Sequence, residues 1–336
     1  MHIPENYLSP QTCGVFGLVM VPIWAHAIRK VRETVPREKM PLLGVAAAFC
    51  FLAMMFNIPL PGGTTGHAVC GTLVAILFGP WAACIAVSIA LFIQAVFFGD
   101  GGILALGANC FNIAFILPMV GYGVYSLVKG KSATLGRELL AAGIGSYVAI
   151  NAAAFFTAVE FGVQPLIFTD GAGNALYCPY PLWVSIPAMM IGHLTVFGAA
   201  EVVFTVGILA FVRKTAPSFG LQQANDSARG AKAFASVFVL LAVLACATPL
   251  GLLAEGDAWG EWGTEDLAEM VGYTPVGLSD GWEWTALMPD YSLGGLPDVA
   301  AYLLSAVIGI ALLVILFRLI ASTMKPTVDF DERMAG

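Results

Sequence analysis

Charge is what this sequence lacks most. Its 336 residues include 15 Lys and Arg and 22 Asp and Glu, 11% in all, where a typical globular chain carries roughly 25%. So few charges leave too little polar surface to coat a water-exposed globule, and 59% of the residues are apolar. Runs such as 70–98, whose one kind of titratable side chain is cysteine, suit a bilayer core about 30 Å thick. The chain therefore reads as an all-α polytopic membrane protein.

Other absences narrow the function. The seven cysteines (Cys13, Cys50, Cys70, Cys84, Cys110, Cys178 and Cys246) are odd in number, scattered and without a CxxC pair. They read as small buried apolar side chains rather than disulfides or metal ligands. The amino terminus lacks the basic start of a signal peptide: it runs Met1-His2-Ile3-Pro4-Glu5-Asn6, so no targeting segment is expected to be removed. Gly130-Lys131-Ser132 resembles the end of a phosphate loop, but Tyr125 stands where the pattern needs glycine and a membrane helix precedes it, so ATP hydrolysis is expected elsewhere. Gly277-Leu278-Ser279-Asp280-Gly281 matches the nucleophile elbow of hydrolases but lies in a polar loop, away from the strand–turn–helix that motif needs. No HExxH and no internal repeat occur.

Apolar windows separated by charge predict nine helices, at about 12–31, 41–60, 67–79, 81–98, 103–128, 137–160, 182–212, 231–254 and 298–321. The third, closed by Gly79-Pro80, is short or re-entrant. All the Lys and Arg residues fall after helices one, five, seven and nine: Arg29 to Lys39, Lys129 to Arg137, Arg213 to Lys232, and Arg318 to Arg333. They share one side if the amino terminus is outside and the carboxyl terminus is cytoplasmic. Three parts follow: a seven-helix unit over 1–214, a cytoplasmic linker over 215–230, and a two-helix region over 231–336. The last carries an outer segment, Glu255 to Pro297, with nine acidic residues and no basic one. It reads as a solvated loop, or as a field that concentrates cations.

Histidine is scarce too. Of the four, His26 and His193 lie within helices and read as packing residues, whereas His2 and His67 fall at the outer face. A free amine followed by X-His presents three nitrogens to one metal: the α-amine, the His2 amide and the His2 imidazole. Their chelate rings have five and six members. His67, in Pro61-Gly62-Gly63-Thr64-Thr65-Gly66-His67, stands on a backbone able to approach other chain closely. It would complete a square-planar N4 set of the kind that suits Ni(II) or Cu(II). Met1 is expected to be retained, because methionine is generally removed before small residues and His2 is large.

The runs Met1-His2-Ile3-Pro4, Pro61 to His67, Phe78-Gly79-Pro80-Trp81-Ala82, Phe98-Gly99-Asp100-Gly101-Gly102 and Gly107-Ala108-Asn109 resemble the substrate-capture component of energy-coupling-factor importers for nickel or cobalt. The resemblance covers about 1–215 and implies Met1, His2 and His67 as the metal set. Ni(II) or Co(II) is then the transported ligand, with no cofactor of the chain's own and no enzymatic activity. It also implies a transmembrane coupling subunit and cytoplasmic ABC-type ATPases as partners in a bacterial or archaeal plasma membrane, with the lipid bilayer as surroundings and no nucleic acid. The region from Lys232 is similar in layout to the two-helix accessory subunit of such systems. Trp259-Gly260-Glu261-Trp262 and Met288-Pro289-Asp290-Tyr291 resemble its fused versions, although the Pro-Asp-Gly-Leu-Glu run of one accessory class is absent. Glu201, in mid-helix, is either functional or a hydrogen-bonded structural carboxyl. Asn57 and Asp100 are candidates to orient the site, while Gln94, Asn109, Asn112 and Asn151 are expected to satisfy one another or broken backbone. Three rival readings are a capture subunit of the same importer class for an organic micronutrient, more remotely a hydrolase using Ser279, and last a passive channel, for which the sequence offers no ring of pore-lining charges.

Overall fold

The structure, a computed structural model, describes residues 1–60, 63–131, 134–221 and 230–324. Most of the predicted linker, along with Pro61, Gly62, Ser132, Arg229, Lys325 and Arg333, lies outside the described residues. Among those described, α1 (Pro10–Thr34) begins at Ser9, whose Oγ accepts from the Thr12 amide, with proline at the first turn. Next comes α2 (Met40–Met55), which is buried on nearly every face. A two-stranded hairpin of β1 (Ile58–Leu60) and β2 (Thr64–Gly66) follows, pairing Ile58 with Gly66 and Leu60 with Thr64. The predicted second helix ran to 60. It stops earlier because Pro59 offers no amide proton and disfavours helix at Ile58.

The helical run continues with α3 (Gly71–Phe78), α4 (Pro80–Ile93), α5 (Leu106–Asn109), α6 (Leu117–Lys129), α7 (Leu135–Ile167), α8 (Leu182–Gly192) and α9 (Gly198–Thr215). π-helical turns at Gln94–Phe98, Cys110–Ile116 and His193–Phe197 extend or join these helices. The carboxyl-terminal region holds α10 (Gly230–Ala247), α11 (Thr264–Val271), α12 (Val276–Ser279) and α13 (Asp298–Thr323).

Eight stretches among the described residues are long and apolar enough to cross a membrane. The third predicted helix is not one of them: α3 has eight residues where thirteen were expected, about 12 Å of rise. It nevertheless joins the two ends of the bundle. Its first turn follows His67, beside Met1. Its last residues meet the chain after α9, where the Leu221 amide donates to the Leu77 carbonyl at 2.9 Å and the Phe78 ring packs on Phe219. Lys39 reaches the same place, donating to the Ser218 carbonyl at 2.6 Å. Arg213, Lys129 and Tyr125 gather around Glu138 at this basic end.

Small residues set how closely the helices approach, as expected where lipid offers no hydrophobic drive for association. A Cβ on Gly145 would lie 2.7 Å from the Gly121 carbonyl oxygen, and one on Gly44 would lie 2.8 Å from the Phe317 Cβ. Gly309 presses against the Phe51 ring, and the Tyr302 hydroxyl donates to the Met55 carbonyl at 2.7 Å. These last three contacts fasten α13 to the buried α2. Gly309→Ala is expected to destabilise the protein by about 1–3 kcal/mol through overpacking. Gly123→Ala, where an added Cβ meets open space, should be neutral or stabilising by up to about 1 kcal/mol from helix propensity. Thermal melting of the full chain in detergent checks both.

Candidate metal centre

The amino-terminal strap is held mainly through its backbone. The Ile3 amide donates to Asn109 Oδ1 at 2.7 Å, and its carbonyl accepts from Asn109 Nδ2 at 3.0 Å and from the Gly102 amide at 2.8 Å. The Glu5 carboxylate takes the amides of Ile103 and Leu104. Asn109 thus satisfies backbone, as expected of it, but the backbone is that of the chain terminus. Gly102 is needed for the fit: a Cβ there would stand 2.8 Å from the Glu5 nitrogen and 3.0 Å from the Pro4 carbonyl carbon.

This clamp buries Met1 and His2, which are 4% and 2% exposed. The hairpin delivers His67, 6% exposed, to the same point, with the two imidazole centroids 4.9 Å apart. The three residues predicted as a set are therefore together. His67 Nδ1 lies 3.1 Å from the Ala68 carbonyl oxygen, which can only accept, so Nδ1 carries the proton and Nε2 keeps its lone pair. Burial, then the charges of His2 and the Met1 amine, push the His67 pKa well below the usual histidine value. The shift favours the neutral form of the imidazole. His2 Nδ1 makes a short hydrogen bond to Asp100, and its Nε2 is buried with no hydrogen-bond partner. That orphaned nitrogen is the unmet demand of the site.

Asp100 was expected to orient the site, and its carboxylate accepts from His2, from Gln94 Nε2 at 3.0 Å and from the Tyr291 hydroxyl. Burial alone would raise its pKa; the His2 charge and hydrogen bond, then His67 and Tyr291, outweigh it and hold the group well below the usual carboxylate range. Glu201 accepts from the amides of Val69 and Cys70, just beyond His67. The other candidates lie elsewhere. His26 packs on Trp81 and His193 donates to the Met189 carbonyl. Asn112 bonds Thr157 and Glu160, Asn151 bonds the Tyr147 carbonyl, and Ser279 bonds the Val276 carbonyl on the four-residue α12. Asn57 donates through its backbone to the Met55 carbonyl.

The acidic segment does more than face solvent: it closes over the terminus. The Met1 ammonium donates to Glu261 Oε1 at 2.9 Å, the Tyr7 hydroxyl to the Trp262 carbonyl at 2.7 Å, and the Thr65 amide to the Asp257 carbonyl at 3.3 Å. Trp259 packs edge-on or tilted among Phe161, Tyr180 and Trp262. Glu261 and Tyr291 sit inside two runs that stand out in the sequence, yet nothing in those runs says which group each would meet. No group of three or more His, Cys, Asp or Glu side chains among the described residues could hold a metal ion.

The fold defines a polytopic helical membrane protein, and comparison with known proteins places it in the metal-uptake class. Residues 2–219 match the model of the cobalt uptake substrate-specific transmembrane region, and residues 232–326 match the PDGLE domain. The chain belongs to the cobalt uptake substrate-specific transmembrane family, with a PDGLE domain fused behind it. That second match holds although the five-residue run of the domain's name is not written in the sequence. The chain is 46% identical to the fused nickel transport protein of Rhodobacter capsulatus over 334 residues, 94% of this chain and 95% of the relative. It is 45% identical to a protein of Lactiplantibacillus plantarum named as a probable fused nickel transport protein, covering 95% and 97%. A solved crystal structure of a truncated transition metal transporter superposes with a TM-score of 0.60 at 53% identity, covering 64% of this chain and 99% of that one.

Asn109→Ala removes two of the bonds that clamp Ile3, at about 1 kcal/mol each. The terminus should then open roughly thirtyfold more often. Acylation of the Met1 amine by a membrane-impermeant reagent, followed by mass spectrometry, checks this.

Proposed function

We propose that this chain is the substrate-binding membrane subunit of an ATP-driven energy-coupling-factor importer that takes up Ni(II) or Co(II). The observation that carries the reading is the burial of a free amine and two imidazoles in one place, with His2 Nε2 unpaired. In this reading the metal is held by the Met1 amine, the amide and imidazole of His2, and His67 in a square-planar N4 set. The fused chelate rings need His2 Nδ1 as donor, so the ring makes a half-turn on binding. Nδ1 then faces the metal and Nε2–H takes over the bond to Asp100, which fixes ring orientation from behind as carboxylates do for metal-bound histidines.

The site lies at the outer face, on the amino-terminal side of the bundle, and the acidic segment draws cations towards it. Residues 1–214 form the capture domain, 215–230 a cytoplasmic linker and 231–336 the accessory region. A transmembrane coupling subunit and cytoplasmic ABC-type ATPases supply the energy in a bacterial or archaeal plasma membrane. The nickel names of the full-length relatives and the cobalt description of the family support both metals as cargo.

Two tests follow from the donor set. Metal analysis of the purified full chain should find one Ni(II) per protein, lost when an extra residue precedes Met1 or when His67 is replaced by alanine. Undiminished metal in either variant would overturn the reading. Binding also expels protons from the Met1 amine and the His2 amide, so acidification opposes it: affinity should fall by about tenfold per pH unit for each proton released. His67, neutral because its pKa is held low, adds nothing to that slope. Nickel titrations at about pH 5 and 8 measure it.

A further inference from the structure

Two groups on one helix hold His67 by both flanks. On the carboxyl-terminal flank, the Val69 amide donates to Glu201 Oε2 at 2.6 Å, and the Cys70 amide donates to Glu201 Oε1 and Oε2 at 3.1 and 3.0 Å. On the amino-terminal flank, Gly66 lies flat against the Phe197 ring: a Cβ there would stand 2.6 Å from Cε2 and Cζ. Phe197 and Glu201 are four residues apart, one turn, and so share a face. Phe197 closes the π-helical turn at His193–Phe197, and Glu201 lies in the first turn of α9.

The arrangement is costly for a purely structural one. The amide of a helix cap residue needs an acceptor, and a glutamate or glutamine three residues into the helix can supply it locally. Here Cys70 is the cap residue, with a positive φ of 64°, and the residue three further on is Leu73, which has no acceptor to offer. The acceptor is instead an ionisable side chain, fully buried in the membrane-spanning part of a distant helix, where such groups are expensive and rare. What this achieves is registration: the backbone on either side of His67 is fixed to α9 and not to α3 alone. At its other end α9 carries Arg213, which donates to Glu138 at 2.8 Å. One helix therefore runs from the His67 loop to the basic end of the bundle.

We infer that Glu201, with Phe197 one turn before it, is the positioning residue that sets His67 as the fourth metal ligand from α9. The inference rests on the reading of His67 as a ligand. Its test uses the full chain in detergent, Ni(II) as the probe, and two readouts: affinity by titration and the visible absorption of bound Ni(II), which reports the ligand field. Glu201→Ala should weaken Ni(II) binding by about tenfold to a hundredfold, as loss of groups behind a ligand does, and move the absorption towards that of His67→Ala. Glu201→Gln keeps one acceptor and should lie between Glu201→Ala and the unaltered chain. Gly66→Ala, which drives the Phe197 ring away, should act in the same direction as Glu201→Ala.

Gly309→Ala serves as the stability control: it should lower the melting temperature and leave the absorption band in place. The inference is overturned if the Glu201 and Gly66 variants keep the affinity and spectrum of the unaltered chain, or if they change melting alone. Should Glu201→Ala not fold, Glu201→Gln and Gly66→Ala decide the matter. If the unaltered chain binds no nickel, or His67→Ala binds it equally well, the assignment of the site fails instead, a different result from failure of the positioning role.

Discussion

An ammonium group taken out of water is the constraint around which the rest of the structure is arranged. Burying an ion costs several kcal/mol unless a partner of opposite charge compensates it, and the Met1 amine finds that partner in Glu261. A terminus can be placed this way only if the strap behind it is rigid. The paired bonds between Ile3 and Asn109 and the grip of the Ile103 and Leu104 amides on Glu5 supply that rigidity. The strap must also pass close to other backbone. Gly102 lets it run against Pro4 and Glu5, and Gly107 lets α5 approach α1 at Gly17. The glycine-rich runs of the sequence are thus the mould of the chain's own first residues.

Much of this was legible in the sequence, because a bilayer imposes length and apolarity on whatever crosses it. The helices on either side of α3 appear as apolar windows, and Gly79-Pro80 marks α3 as short. The early end of α2 was not visible, since Ile58-Pro59-Leu60 is as apolar as a helix and its hairpin forms by pairing with Thr64 to Gly66. The π-helical turns leave no mark in hydropathy. At the site, Met1, His2 and His67 stand out as residue types, and the structure brings them together. Glu261 and Tyr291 could not be paired from sequence. They come from a segment more than two hundred residues after the strap, and its many acidic residues look alike until one of them meets the amine.

The carboxyl-terminal region, which matches the PDGLE domain, touches the rest of the molecule at two levels. In the membrane, α13 lies on α2 through Gly44, Gly309 and the Tyr302 bond to Met55. Above it, Glu261, Trp262 and Tyr291 reach the strap and Asp100. The lower contact is close-packed and shape-specific, and the upper one is made of hydrogen bonds. Carrying both regions on one chain makes their encounter intramolecular, independent of the abundance of a second protein.

Asp100 connects these levels, and its low pKa explains how. A carboxylate that stays ionised demands a proton from each group facing it, and His2, Gln94 and Tyr291 all supply one. The His2 ring turns Nδ1 to Asp100 and leaves Nε2 buried without a partner. In the proposed chelate the ring makes a half-turn, Nδ1 faces the metal and Nε2 takes over the bond to Asp100. The carboxylate is thus a partner for the ring in either orientation. Because Tyr291 shares that carboxylate, the carboxyl-terminal region is one hydrogen bond away from the His2 ring.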